Sequence, residues 1–427
     1  MAAAEITVPS DIAQTLVDGS AYADNRIHDA YKWLRANRPL AVARPDGYDP
    51  FWVVTRHADI LEISRRNDVF HSGDKSTTIV SAEGDARIRK MTGGSPHLVR
   101  SLVQMDAPDH PKYRVLTQAW FLPQNIRKLE DRIREIARAS VARMLATGGE
   151  CDFVREIALH YPLHVIMEIL GVPETDEPRM LKLTQELFGA GDPDLGRERN
   201  ESDNELDMGA LQGVLADFFQ YFSRLSAERR AHPTDDLATL IANSRIDERP
   251  ISEFEAMSYY VIVATAGHDT TSSTTAAAMR ALCDNPDQFA WVKQDLARTP
   301  GLIDEAIRWA TPVKTFMRSA TEDAEVSGQP IAKDDWLMLC YASGNRDEAV
   351  FDEPFRFRAD RSPNRQLAFG YGAHLCLGQH LAKMEMRILY EELLPKLKSV
   401  ELAGEPRMSQ AVFVNGLKSL PIRFEAA

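Results

Sequence analysis

The sequence predicts a mainly helical protein with a smaller β region. Three observations predict it. One is a run of helical character from Ser252 to Asn285. The second is a glycine-framed loop, Phe369 to Gly378, that opens directly onto another helical pattern. The third is a set of short apolar strands confined to residues 35–60 and 317–345 and a late C-terminal turn. No repeat and no clear linker interrupts the chain, so residues 1–427 are expected to form a single domain.

Taken in order, Leu40-Ala41-Val42-Ala43 and Phe51-Trp52-Val53-Val54 flank the turn former Pro45-Asp46-Gly47 and read as a hairpin. Pro108 or Pro111 opens a helix that sets His110 and Arg114, four residues apart, on one face. Gly189 to Asp207 is polar, acidic and glycine-containing. It reads as a loop between helices, a usual place for a lid. Ser252 and Glu255 form a capping box behind Pro250. The helix they start runs for about 33 residues, or roughly 50 Å, enough to cross a whole domain.

The middle of that helix, Ala264 to Thr275, is poor helix material. Gly267 costs about 1 kcal/mol against alanine. Asp269 and the six hydroxyl residues Thr270 to Thr275 compete for backbone hydrogen bonds. The expectation is a wet, locally opened groove. The plain alternative is a Ser/Thr-rich helix with ordinary back-bonding. Thr299-Pro300 starts the next helix and Thr311-Pro312 ends it, with Glu305 and Arg308 on one face. A second β region follows Met317, with a turn at 326–329 and a buried strand over Trp336 to Tyr341. Past Gly378, Leu381, Met384 and Ile388 fall at helical spacing until Pro395. Cys376 therefore stands at a helix N-terminus, where unpaired N–H groups and the dipole stabilise a thiolate.

The chain has 427 residues and a net charge of −13, which argues against nucleic acid as a partner. The N-terminus lacks a basic region, and no run approaches the ~20 apolar residues of a membrane span. Four unpatterned cysteines fit a reducing compartment, so a cytoplasmic protein without a membrane partner is expected. Nothing resembles a flavin or nicotinamide site.

Alone, Cys376 has several readings. It can be a small buried hydrophobe. A zinc site needs about four ligands, and the partners are missing. An iron–sulfur cluster needs about four cysteines, but Cys151, Cys283 and Cys340 are scattered. A nucleophile pair with His374 does not require the glycine frame. The full pattern Phe-x-x-Gly-x-His-x-Cys-x-Gly is specific. It resembles the haem-binding loop of the cytochrome P-450 haem-thiolate monooxygenases.

That resemblance implies the P-450 fold, with the long central helix crossing over haem and the Cys loop before a C-terminal helix. It implies heme b (iron protoporphyrin IX) ligated by Cys376 and framed by Phe369, His374 and Gly378. Ala266-Gly267-His268-Asp269-Thr270-Thr271 resembles the family's oxygen-activation motif. Ala266 and Gly267 then leave room for dioxygen, and Thr270 and Asp269 are the catalytic pair that delivers protons. The stretch around His110 and Arg114 resembles an H-x-x-x-R motif. With Arg318 and His374 these residues would hold the haem propionates. Glu305-x-x-Arg308 and Pro354-Phe355-Arg356-Phe357 match motifs that imply a structural triad of Glu305, Arg308 and Arg356.

Stretches such as Tyr161-Pro162-Leu163-His164-Val165 and Arg308 to Arg318 look like the branch that contains bacterial α-terpineol hydroxylase. A monoterpenoid or alkyl-aromatic substrate of about ten carbons follows, held by burial of apolar area. The family's layout implies a pocket formed by Leu98, Val99, Val263, Ala266, Val313, Thr315, Phe316, Val412 and Phe413. Lys314, beside them, is expected to snorkel away. Electrons are expected from a soluble ferredoxin and its reductase, docking on Arg127, Lys128 and Lys383. A peroxide-driven haem enzyme and a non-catalytic haem sensor are the alternatives.

Overall fold

The computed structural model describes residues 6–189, 192–195 and 208–427. Most of the expected lid at 189–207 lies outside the described residues. The elements that position the cavity are few. In chain order they begin with strands β1 (Leu40–Ala43), β2 (Phe51–Val54) and β3 (Phe70–His71). Helices α1 (Asp109–Gln118), α2 (His160–Leu170), α3 (Glu177–Phe188), α4 (Glu253–Ala266), α5 (Asp269–Asp284) and α6 (Thr299–Ala310) follow. Strands β4 (Thr315–Ala320) and β5 (Trp336–Cys340) lead to helix α7 (Gln379–Leu393).

The five strands make one sheet in the order β1-β2-β5-β4-β3. β1 and β2 form the expected hairpin, with Leu40 opposite Val54 and Ala43 opposite Phe51. β5 lies parallel to β2 and antiparallel to β4. Successive side chains of a strand point to opposite faces. Phe316 and Arg318 therefore share one face of β4, and Thr315 and Met317 take the other. β4 begins at Thr315, two residues earlier than the sequence indicated.

The helices surround a large apolar core that includes Ile166, Ala264, Met279, Leu302, Ile307 and Leu389. The Ser252 hydroxyl accepts from the Glu255 N–H, and the Glu255 carboxylate accepts from the Ser252 N–H, so the capping box is formed. The expected single central helix is two helices. It breaks at Gly267 and His268, between α4 and α5. This is where glycine, Asp269 and the hydroxyl run weaken the ladder. A Cβ on Gly267 would lie 2.8 Å from Ile166 Cγ1, so α2 packs where alanine does not fit without movement.

Candidate functional site

Two glycines shape the loop that carries Cys376. Gly370 and Gly372 have φ of +68° and +71°, the left-handed region that favours glycine. A Cβ on Gly372 would fall 2.1 Å from the Ser64 carbonyl oxygen, so the loop is pressed against the backbone of another segment. The Cys376 N–H donates to the Phe369 carbonyl at 2.8 Å, closing the loop. Gly378 is the N-cap of α7 with φ −86° and needs no glycine for its conformation. Its contribution is space: a Cβ there would meet nothing within 4 Å, in the cavity that Gly378 lines. Burial pushes the Cys376 thiol up, while the Gly378 and Gln379 N–H groups and the Arg114 charge favour the thiolate.

Cys376 opens on a cavity with about 1540 Å³ of empty space, its mouth included. All nine residues expected to bind the cofactor line it: His110, Arg114, Ala266, Gly267, Arg318, Phe369, His374, Cys376 and Gly378. At its polar end Arg114 donates to the Leu375 carbonyl at 2.7 Å, and buried Arg318 donates to the Met317 carbonyl at 2.7 Å. Among the described residues no carboxylate forms an ion pair with either guanidinium. His110 and His374 lie with ring centroids 4.4 Å apart. His374 Nε2 is 3.2 Å from Ser72 Oγ and 3.9 Å from Asp106 Oδ1. His110 is buried, its Nε2 has no hydrogen-bond partner, and burial with the neighbouring His374 and Arg114 charges brings its pKa down to about 4. Two guanidiniums without carboxylates and an orphaned imidazole nitrogen suit an anionic group. A flat apolar ligand with two carboxylates at one edge, which is haem b, fits this donor set.

The broken central helix forms the opposite wall. The Thr270 hydroxyl donates to the Ala266 carbonyl at 2.8 Å across the break, and both residues line the cavity. Asp269 sits just behind. Its Oδ2 is buried without a hydrogen bond and lies 3.4 Å from His268 Nδ1.

The substrate wall differs from the expectation. Val263, Ala266, Val313 and Phe316 line the cavity; Leu98, Val99, Thr315, Val412 and Phe413 do not. Thr315 is on the far face of β4, opposite to Phe316 and Arg318, as strand alternation requires. Phe413 packs behind Phe316 with ring centroids 5.2 Å apart, and the Lys314 N–H donates to the Phe413 carbonyl. The turn at 412–414 is thus a second layer. The Arg100 N–H donates to Ser258 Oγ on α4, and this segment first lines the cavity at Leu102 and Val103. Ile166, Ile262 and Phe121 complete an apolar lining that sequence reasoning missed. Lys314 turns from the cavity but does not reach solvent: it is 9% exposed and donates to the Ala310 carbonyl at 2.7 Å.

Glu305 and Arg308 are fully buried and paired through two contacts, 2.7 and 2.8 Å. The expected third member, Arg356, is exposed and pairs with Glu353 at 3.2 Å. Arg361 takes that place, with Nε 3.0 Å from Glu305 Oε2. Arg356 points outwards because the segment contributes its backbone instead: its carbonyl accepts from Arg308 and Arg361. Glu385 was also missed. It lines the cavity from α7, its Oε2 has no hydrogen bond, and burial holds its carboxyl well above the usual range. The signal was present, since Leu381, Glu385 and Ile388 follow helical spacing and so share the buried face.

The cytochrome P450 family model matches residues 51–417. Cytochrome P450-terp of a Pseudomonas species is 50% identical over 428 residues, covering 99% of this chain and 100% of that protein. The crystal structure of CYP108D1 from Novosphingobium aromaticivorans is similar with a TM-score of 0.91 and 47% identity, over 99% of this chain and 100% of that one. Cytochrome P450 CYP268A2 of Mycobacterium marinum, solved in complex with pseudoionone, has a TM-score of 0.88 and 33% identity, over 98% of this chain and 100% of that one. No helix among the described residues is long and apolar enough to cross a membrane. A match over most of the chain, half the residues shared with a full-length relative, and a cavity built for a carboxylate-bearing ligand beside a cysteine together place this chain in the cytochrome P450 family of haem-dependent monooxygenases.

Proposed function

We propose that the enzyme hydroxylates a small, largely apolar molecule, a monoterpenoid such as α-terpineol or an alkyl-aromatic, using dioxygen and electrons from a ferredoxin. The observation that carries this reading is the contrast between the cavity's two walls. The wall beside α4 and β4 is apolar at Ile262, Val263, Val313 and Phe316, and Thr270 interrupts it at the helix break. Such a wall selects by burial and shape rather than by hydrogen bonds. When bound, haem b supplies oxygen activation and insertion of one oxygen atom into a C–H bond.

The chain's residues have distinct tasks in this reading. Cys376 Sγ would ligate the iron, and the Gly378 and Gln379 N–H groups offset part of the burial that opposes the thiolate. Arg114, Arg318, His110 and His374 hold the propionates. Asp269 passes protons from outside towards Thr270, whose hydroxyl faces the cavity at the helix break. Glu305, Arg308 and Arg361 brace the loop without taking part in chemistry. The whole chain, 1–427, acts as one domain, and a cytoplasmic setting suits a soluble ferredoxin. Arg127 and Lys128 are exposed and suit an acidic partner. Lys383 contributes less, because its Nζ is already 2.7 Å from Asp304 Oδ1.

The test begins with the absorption spectrum of the reduced, carbon monoxide-bound protein, followed by a screen of terpenoids, alkyl-aromatics, fatty acids and steroids for spin-state shifts. Thiolate ligation and a preference for ten-carbon molecules are expected. Thr270→Ala should divert electrons to peroxide and lower product by about tenfold or more. Turnover with peroxide alone, insensitive to Thr270→Ala, would favour a peroxide-driven enzyme. A steroid that binds as tightly as a monoterpenoid would overturn the substrate reading.

A further inference from the structure

Asp192 has no exposed surface, and the tasks assigned above do not use it. It lies just past α3, where its N–H donates to the Gly189 carbonyl at 2.8 Å. Both carboxylate oxygens are satisfied. Lys418 Nζ donates to them at 2.9 and 3.1 Å. The Gln410 N–H donates to Oδ2 at 2.7 Å, and the Asp194 N–H donates to Oδ1 at 2.8 Å. The exposed Asp194 carboxylate adds a contact to Lys418 at 2.7 Å and one to Arg407 at 3.4 Å. Burial opposes the Lys418 charge, but the Asp194 and Asp192 carboxylates carry its pKa above the usual value. Removing Lys418 would leave the buried Asp192 charge without a cation.

The donors on the other side come from one hairpin. Strands β6 (Arg407–Met408) and β7 (Leu417–Ser419) pair antiparallel. Arg407 and Lys418 stand on these strands, and Gln410 on the loop between them. That loop is built into the cavity wall. The Lys314 N–H donates to the Phe413 carbonyl at 2.9 Å, and the Asn415 N–H donates to the Pro312 carbonyl at 3.0 Å. Pro312, Val313 and Phe316 line the cavity. The Phe413 ring has two aromatic neighbours. Phe316 is 5.2 Å away between centroids, and Phe188, the last residue of α3, is 6.3 Å away. A Cβ on Gly416 would fall 2.1 Å from Ser273 Oγ, so the loop returns in contact with α5. The hairpin therefore joins the end of α3 to the cavity wall.

We propose that Asp192 and Lys418 are positioning residues for substrate selection: they fasten the hairpin to the end of α3, so that Phe413 backs Phe316 and the cavity admits small molecules. An apolar pocket discriminates by the space its walls leave. When the clasp opens, the hairpin and α3 separate, Phe413 loses its backing, and Phe316 yields to a longer molecule. The inference rests on the reading of a ten-carbon substrate.

The experiment uses haem-loaded protein and two probes, α-terpineol and a fifteen-carbon terpenoid alcohol. Dissociation constants come from spin-state titrations, and dissociation rates from stopped-flow displacement. The parent is compared with Lys418→Met, Phe413→Ala and the double variant. In Lys418→Met the preference for α-terpineol is expected to fall about tenfold, with faster release of α-terpineol and an unchanged carbon monoxide spectrum. Phe413→Ala should shift the preference in the same direction, and the double variant no further than the larger single effect. A merely structural pair would lower the urea midpoint and leave the preference alone. An unchanged preference in Lys418→Met overturns the proposal, even where Phe413→Ala shifts it, because the loop then acts without the clasp. If Lys418→Met takes up no haem, Asp192→Asn, which keeps the shape of the carboxylate, carries the same test. An unchanged preference in Phe413→Ala overturns the proposal whichever clasp variant folds. In each of these cases the parent still prefers α-terpineol, and the substrate reading stands. A parent that binds both probes equally overturns the substrate reading, and this proposal with it.

Discussion

Replacing Lys314 by methionine probes a cation held inside the protein behind the cavity wall. Lys314 is 9% exposed, its Nζ donates to the Ala310 carbonyl at 2.7 Å, and burial with repulsion from Arg346 brings its pKa down from 10.5 to about 7. The folded protein releases this proton near neutrality, whereas the unfolded chain keeps it until about 10.5. Below pH ~7 the lysine is charged in both states, and the folded state bears the full desolvation penalty. Stability then rises with pH between about 7 and 10.5, because there the unfolded state binds more protons, and levels off above. Each pH unit in that window corresponds to about 1.4 kcal/mol, so the total is on the order of 4–5 kcal/mol. Methionine keeps the apolar stem, removes the charge and loses a hydrogen bond worth about 1 kcal/mol. Lys314→Met is therefore expected to be more stable than the parent by about 3 kcal/mol near pH 6 and slightly less stable near pH 10. Urea unfolding of the haem-loaded proteins, followed by circular dichroism, measures this. Comparing the two proteins at each pH cancels the other titrating groups except His28, whose pKa is held down by burial and by the Arg346 and Lys314 charges. Parallel pH profiles would refute the reasoning.

Two further outcomes follow from the brace and the loop. Arg361→Ala leaves the buried Glu305 with one guanidinium and should cost about 3 kcal/mol, whereas Arg356→Ala should stay within about 0.5 kcal/mol, both read from urea midpoints. Equal effects would restore Arg356 to the brace. Gly372→Ala combines a strained φ with a clash against the Ser64 carbonyl, and the expressed protein should lose most of its carbon monoxide-sensitive absorption. Normal haem content in that variant would show that the loop tolerates displacement.

How much was legible in the sequence depended on how local the signal was. The Cys376 loop is contiguous, and glycines at fixed offsets report its backbone directly. Gly267 and the hydroxyl run indicated a weakened helix, and the break between α4 and α5 lies within that stretch. The brace was less legible because Arg356, Arg358, Arg361 and Arg365 crowd one short segment. Spacing alone does not say which arginine turns inwards; the path of the segment past Glu305 decides that. The substrate wall was the least legible. The family's layout implied Thr315 in the pocket with Phe316, although strand alternation puts the two on opposite faces. Leu98, Val99, Val412 and Phe413 belong to irregular segments, whose course depends on distant contacts such as Arg100 to Ser258 and Lys314 to Phe413.

The polar end of the cavity bears on how the protein matures. Arg114 and Arg318 face the cavity and have backbone carbonyls rather than carboxylates as partners. A polypeptide leaving the ribosome before it meets porphyrin must bring the Arg114 and Arg318 cations to one end of the cavity with no carboxylate paired to either, and that repulsion opposes closure of 105–114 onto 369–378. The helical core distant from these residues does not bear this cost and can form first. Porphyrin acquisition is then the closing step of assembly. When synthesis of the chain outpaces porphyrin supply, the accumulating polypeptide should be loose around Cys376 and well folded elsewhere, and chaperones and proteases would meet it at that one edge.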